Sequence, residues 1–410
     1  MTIHVAPSLA ERYAATRALS EALAAPLSAE DQGVQSMPDA SPTKWHLAHT
    51  TWFFETVILK TLPGYAPFDE RYAYLFNSYY EGFGPRHPRP QRGLLTRPGA
   101  REILDYRRHV DEHMAELLSD DHPLAPLIEL GVNHEQQHQE LVLTDIKHAF
   151  FANPLLPAYA QAPARPGRPA TGLRFVGHDG GIASIGHDGT GFAFDNESPQ
   201  HEILLQPFRL ASRPVTNGEY RGFIEDGGYG RPEFWLSDGW ALKERENWQR
   251  PLYWLDGGTI FTLDGVRPLD AQEPVVHVSF YEAAAYAAWA GKRLPTEFEW
   301  EAVARNQSVH GRFLDAKRLH PLPADGAGPL QQMFGDVWEW TRSSYDPYPG
   351  YRPPEGALGE YNGKFMVGQI VLRGGSCATP QGHIRASYRN FFPPSARWQF
   401  SGIRLAEDAA

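Results

Sequence analysis

The chain is 410 residues long, carries a formal net charge of −11 and contains 17 histidines but one cysteine. That length supports two or three domains, each able to bury a core, and the acidic balance repels polyanions, so neither nucleic acid nor an anionic membrane is an expected partner. Cys377 alone excludes an internal disulfide framework and any all-cysteine metal site, which leaves histidine as the natural ligand supply.

Residues 8–26 are rich in Ala, Leu, Glu and Arg with no breaker before Pro26, and predict a first helix. Ser41-Pro42 supplies an expected N-cap and N1 proline for a second helix over Trp45 to Leu59. A third fits Ala100 to Leu118, where apolar residues recur at three and four, and a fourth runs from about Leu127 to Phe151. Four such helices predict a bundle, with any site built from side chains on facing helices. Between the second and third lies Tyr72 to Pro98, too rich in Pro and Gly for regular structure and rich enough in aromatics to be ordered. Residues 153–171 hold five prolines and are expected to form an extended linker between a domain over 1–152 and another over 172–410. Nine of the 38 glycines lie at or before Gly172, so the second domain is the loop-rich one. Short apolar segments (Phe175-Val, Ile203-Leu-Leu, Val275-Val-His-Val, Val371-Leu-Arg) and a helix from Tyr281 to Ala290 predict an α+β body of short strands. No run of 18 apolar residues occurs and the N-terminus lacks a signal pattern, so the expected compartment is the cytosol.

His134 and His138 are four apart, which puts both imidazoles on one helix face at a spacing that can share a metal. Facing them in a bundle would be His46 or His49, each in an apolar stretch; helical periodicity does not choose between the two. His134-Glu-Gln-Gln-His138 also matches the zinc-protease pattern, but the extended form would need Gly at 141 and His at 144, where Leu141 and Thr144 stand. Three neutral imidazoles leave a divalent ion its full charge and open positions, which favours an anionic sulfur ligand; they suit zinc as well as iron.

Ser41-Pro-Thr-Lys-Trp-His-Leu-Ala-His49, His134-x-x-x-His138-x-Glu140, Leu372-Arg-Gly-Gly-Ser-Cys377 and Tyr388 to Leu405 closely resemble the iron-dependent sulfoxide synthases of ergothioneine biosynthesis. Pro214–Tyr220, Arg293–Glu301 and Phe334–Trp340 extend the resemblance over nearly the whole chain. It implies a multidomain fold: an N-terminal all-α DinB-like four-helix bundle, then an α+β, C-type-lectin-like domain of the formylglycine-generating-enzyme type. It also implies the chemistry, in which Fe(II) and O2 join a thiol sulfur to C2 of the imidazole of hercynine, the trimethylated histidine betaine, as a sulfoxide. Carried over, the iron ligands are His49, His134 and His138; Gln137 contacts the hercynine imidazole; Asn390 and Phe391 help form the trimethylammonium end. Tyr79 and Tyr80 resemble the pair in members that accept free cysteine, one of them supplying a proton, and Arg86 and Arg89 would receive a substrate carboxylate.

Members that use γ-glutamylcysteine have an aspartate where this chain has Phe392, with Arg397 a few residues on, so cysteine is the expected donor. Three other functions fit the same motifs: joining hercynine to a selenosugar to make selenoneine, a DinB-type metal-dependent thiol transfer without oxygen, and a non-catalytic binding module. Formylglycine generation is disfavoured, because it resembles a chemistry of paired cysteines.

Overall fold

A computed structural model describes residues 7–161, 171–314, 318–326 and 328–409. The chain divides into two compact units, one formed by Met1–Tyr159 with Pro354–Tyr361, the other by Ala160–Pro353 with Asn362–Ala410. Most of the segment expected as a linker, residues 162–170, lies outside the described residues, but Tyr159 belongs to the first unit, where its hydroxyl donates to the Leu23 carbonyl.

The first unit is built on α1 (Leu9–Ala24), α2 (Thr43–Phe53), α3 (Ala100–Met114) and α4 (Ala125–Ala152). Ser8 and Glu11 close a capping box that starts α1. Ser41 does not cap α2 as expected: its backbone N–H is held by Asp145 at 2.7 Å and its hydroxyl by Arg92 at 2.9 Å, so Pro42 stands at the N-cap. After Phe53 the helix widens into a π turn over Phe54–Ile58, immediately beyond His49, a distortion that often accompanies a functional site. Aromatics fill the interior, among them Trp52, Phe53, Phe54 and Tyr106. The approach of α4 to α2 is so close that a Cβ on Gly131 would sit 2.4 Å from the Phe54 ring. Regular structure is not absent from residues 72–98, as composition predicts, but is confined to single short pieces: Tyr72–Leu75, Glu81–Phe83 and Arg89–Leu94.

The second unit carries small sheets. Strands β1 (Phe175–His178), β4 (Phe208–Ala211) and β12 (Ala406–Asp408) form one; β10 (Asn390–Phe392), β9 (Ile370–Arg373), β8 (Trp338–Ser344) and β11 (Ser401–Gly402) form the second. β2 (Gly181–Ile185) pairs with β3 (His201–Leu205), and β5 (Trp254–Leu255), β6 (Thr259–Thr262) and β7 (Gly265–Pro268) make a meander. The helices are α5 (Asn217–Glu225), α6 (Ser237–Arg245), α7 (Phe280–Trp289) and α8 (Glu297–Ala304). The strand expected at Val275–Val278 does not form. His277 sits at φ +65° and breaks the extended run, so the Val275 and Val278 amides bond to single carbonyls of Val215 and Ser401. Beneath the sheets, Glu297 lies between Arg373 at 2.7 Å and Arg389 at 2.9 Å, and Glu339 meets Arg404 at 2.7 Å, all buried. No helix among the described residues is long and apolar enough to cross a membrane.

Candidate metal centre

α2 and α4 face each other with His49 on one and His134 and His138, one turn apart, on the other. One ring nitrogen from each of the three lies within 4.8 Å of the others. Their rings are nearly equidistant, with centroids 4.9, 4.7 and 4.7 Å apart. His49 and His134 are buried, and His138 is the partly exposed member.

Partners fix the ring states. The Phe76 carbonyl can only accept, so at 2.6 Å it holds the hydrogen on His49 Nδ1 and leaves Nε2 with its lone pair. Nδ1 of His134 is buried without a hydrogen-bond partner among the described residues, an unmet valence in a pocket of imidazoles. Burial holds His134 neutral down to about pH 4 and pushes His49 and His138 well below the ordinary imidazole range, the neighbouring His134 adding to it. Three neutral imidazoles converging in a buried site are the donor set of a divalent transition metal. His46, the other candidate, is not one of the three but borders them: its Nε2 lies 3.0 Å from Asp145, and its Nδ1 lies 2.8 Å from His138 Nδ1.

The zinc-protease reading fails on Glu135. In that chemistry the glutamate must be a free base beside the metal, but here it is buried with Arg17 at 2.8 Å and Arg107 at 2.9 Å. Those two guanidinium groups outweigh its burial and hold the carboxyl down at about 2, far too acidic to take a proton from water at neutral pH.

Around the triad, Trp45 and Trp52 stack on His49 at 4.7 and 5.6 Å, and Tyr80 stacks on Trp52 at 5.6 Å. Asn77 shapes this loop, its side-chain amide donating to the Tyr80 and Gly84 carbonyls. A third tyrosine, Tyr361, sets its ring edge-on to His134 of the triad at 5.6 Å. It stacks with Tyr80 at 6.3 Å, and its hydroxyl donates to Gln137 Oε1. Sequence reasoning missed it, since nothing local marks a tyrosine that returns to the bundle unit from so far along the chain. Glu360 anchors that return by accepting the backbone N–H groups of Glu81 and Gly82 at 3.0 and 2.8 Å.

The expected arginines have different fates. Arg86 is a half-exposed partner of Glu81, and Arg89 donates to the Tyr79 hydroxyl at 2.9 Å and to the Asp39 carbonyl. Arg397, in the second unit, ion-pairs with buried Glu282 at 2.8 Å and stacks on Trp248. In the same unit Asn390, Phe391 and Phe392 form β10. Phe391 lies flat on Tyr345 at 4.0 Å with Phe365 at 6.0 Å, Phe392 meets the edge of Trp398, and the Asn390 side chain accepts the Phe391 N–H.

Residues 12–142 match the DinB superfamily, and residues 167–327 and 319–409 match the sulfatase-modifying factor enzyme 1-like domain. The hercynine oxygenase of Mycolicibacterium smegmatis is 36% identical over 408 residues, 91% of this chain and 92% of that protein. The chain belongs to the hercynine oxygenase family, the sulfoxide synthases of ergothioneine biosynthesis. A second hercynine oxygenase, from Mycolicibacterium thermoresistibile, is 34% identical over 90% of this chain and 88% of its own length. Ergothioneine biosynthesis protein 1 of Schizosaccharomyces pombe is 30% identical over 53% of this chain and 28% of its own length. The hercynine oxygenase assignment carries the expected fold class with it, a DinB-type helical region followed by a domain of the sulfatase-modifying-factor type.

Proposed function

We propose that this chain joins the sulfur of cysteine to imidazole C2 of hercynine at the expense of dioxygen, with His49, His134 and His138 as ligands to Fe(II). The observation that carries this reading is the trio of neutral imidazoles within 4.8 Å, in a chain of the hercynine oxygenase family. The reaction balances with one O2: the imidazole C–H and the thiol S–H are lost, a C–S bond and an S–O bond form, and one water leaves. Bound iron would supply the reduction of dioxygen. The chain's own residues do the rest. Gln137, one position before His138, offers a carboxamide to the hercynine imidazole. Tyr361 sets its ring edge-on to His134 and holds a phenol proton that its hydroxyl donates to Gln137 Oε1, and Trp52, Tyr80 and Phe83 pack together as an aromatic wall. Asn390 and Phe391 enter by resemblance, the Phe391 ring offering its face to a quaternary ammonium.

The test offers cysteine, γ-glutamylcysteine and a selenosugar with hercynine and Fe(II), with and without air, products weighed by mass spectrometry. A hercynyl cysteine sulfoxide formed only in air is the expected product; equal product under anaerobic conditions, or a selenium adduct alone, overturns the reading. Tyr361→Phe removes the proton and keeps the ring. It is expected to slow sulfoxide formation roughly 100-fold, the lower end for loss of a general acid. An unchanged kcat would return the proton-donor role to Tyr79 or Tyr80.

A further inference from the structure

We infer that His46 and Asp145 form a relay that sets the tautomer of His138 and turns its Nε2 lone pair toward the other two histidines. The inference deepens the metal reading of the triad and rests on it for its consequence. It is carried by three hydrogen bonds. Asp145 Oδ2 accepts the Ser41 backbone N–H at 2.7 Å, so that oxygen carries lone pairs. His46 Nε2, 3.0 Å from the same oxygen, must therefore be the donor, because an acceptor faces no acceptor. In the relay His46 spends its one ring hydrogen on Asp145, so its Nδ1 accepts, and the hydrogen on the 2.8 Å line to His138 Nδ1 belongs to His138. With its hydrogen on Nδ1, His138 has only Nε2 left as a ligand atom. Both His46 and Asp145 are buried, at 3% and 5% exposure, so water does not substitute for either partner.

The arrangement differs from that of His49, whose Nδ1–H ends on a neutral carbonyl. At His138 the chain of hydrogen bonds ends on a carboxylate, which draws the hydrogen outward and makes Nε2 a stronger donor. His46 is thus a positioning residue: it makes no contact with a bound ion and acts through His138.

The experiment uses the full-length metal-free protein labelled with ¹⁵N-histidine and reads ring tautomers by two-bond ¹H–¹⁵N correlation. The expected result is hydrogen on Nε2 of His46 and on Nδ1 of His138; hydrogen on Nε2 of His138 would overturn the relay. Co(II) titration supplies the second readout. His46→Phe, which leaves the His138 N–H buried without an acceptor, is expected to weaken Co(II) binding 10–100-fold. His46→Asn, whose side-chain oxygen takes the place of Nδ1, should recover most of that loss. Equal Co(II) affinity in wild type, His46→Phe and His46→Asn also overturns the relay. Wild-type protein that takes up no Co(II) while showing both expected tautomers would retire the metal reading of the triad and leave the relay standing.

Discussion

Replacing His49 with alanine is expected to empty the site of metal and to lower sulfoxide formation by more than about 100-fold, beyond what loss of an outer-shell partner causes. The imidazole is 1% exposed and packed between two tryptophans, so the substitution also opens a cavity. His134→Ala, on the opposite helix, should give the same loss of metal through a different cavity. Metal content measured on both purified variants, alongside far-UV circular dichroism, separates ligand loss from unfolding. Were His46→Ala to strip the metal completely while His49→Ala kept it, the ligand set would be wrong.

The largest stability effect is expected at Glu135. Its carboxylate is shared by Arg17 and Arg107, both buried, and Arg17 is itself tied to Asp111 at 2.8 Å and Thr51 at 3.0 Å. Glu135→Gln leaves two buried guanidinium groups short of a counter-charge, a loss of about 3–5 kcal/mol and a fall in melting temperature on the order of 10 °C. The pH dependence has a definite sign. In the unfolded chain this carboxyl titrates near 4.5, in the folded one at about 2, so the ionised form favours folding. Its contribution, about 3 kcal/mol, is complete above pH 4.5 and disappears as pH falls toward 2. Melting curves collected across that interval should show the wild type losing this increment and Glu135→Gln lacking it. A variant as stable as wild type at pH 7 would show that the arginines find other partners.

How far the site is legible in the sequence depends on how local its logic is. His134 and His138 are legible because four residues on a helix have one geometric meaning. The choice of His49 over His46 is not, since both lie on the same buried helix. What separates them is a carbonyl 27 positions from His49 and a carboxylate 99 positions from His46. The pairing of Arg397 with Glu282 is not legible either, because burial of an ion pair leaves no trace in composition. In the second unit, α5 and α8 carry Thr-x-x-Glu capping boxes at Thr216/Glu219 and Thr296/Glu299, a signal for short helices that periodicity alone passes over. The Val275–Val278 run fails as a strand for the opposite reason: β-branched residues predict extended backbone, but a buried left-handed residue at His277 breaks the ladder.

The excursion of the chain between Tyr159 and Pro354 bears on the order in which the protein is made. The three histidines are all synthesised by residue 138, but Tyr361 and the Glu360 carboxylate that pins the aromatic loop follow only after the span Ala160–Pro353 has been translated. A nascent chain with only its bundle exposed therefore has all three histidines and lacks the Tyr361 ring that lies against His134. Closing so long a loop is a slow, late event in folding. The order of synthesis thus separates the three histidines from the last aromatic ring placed against them.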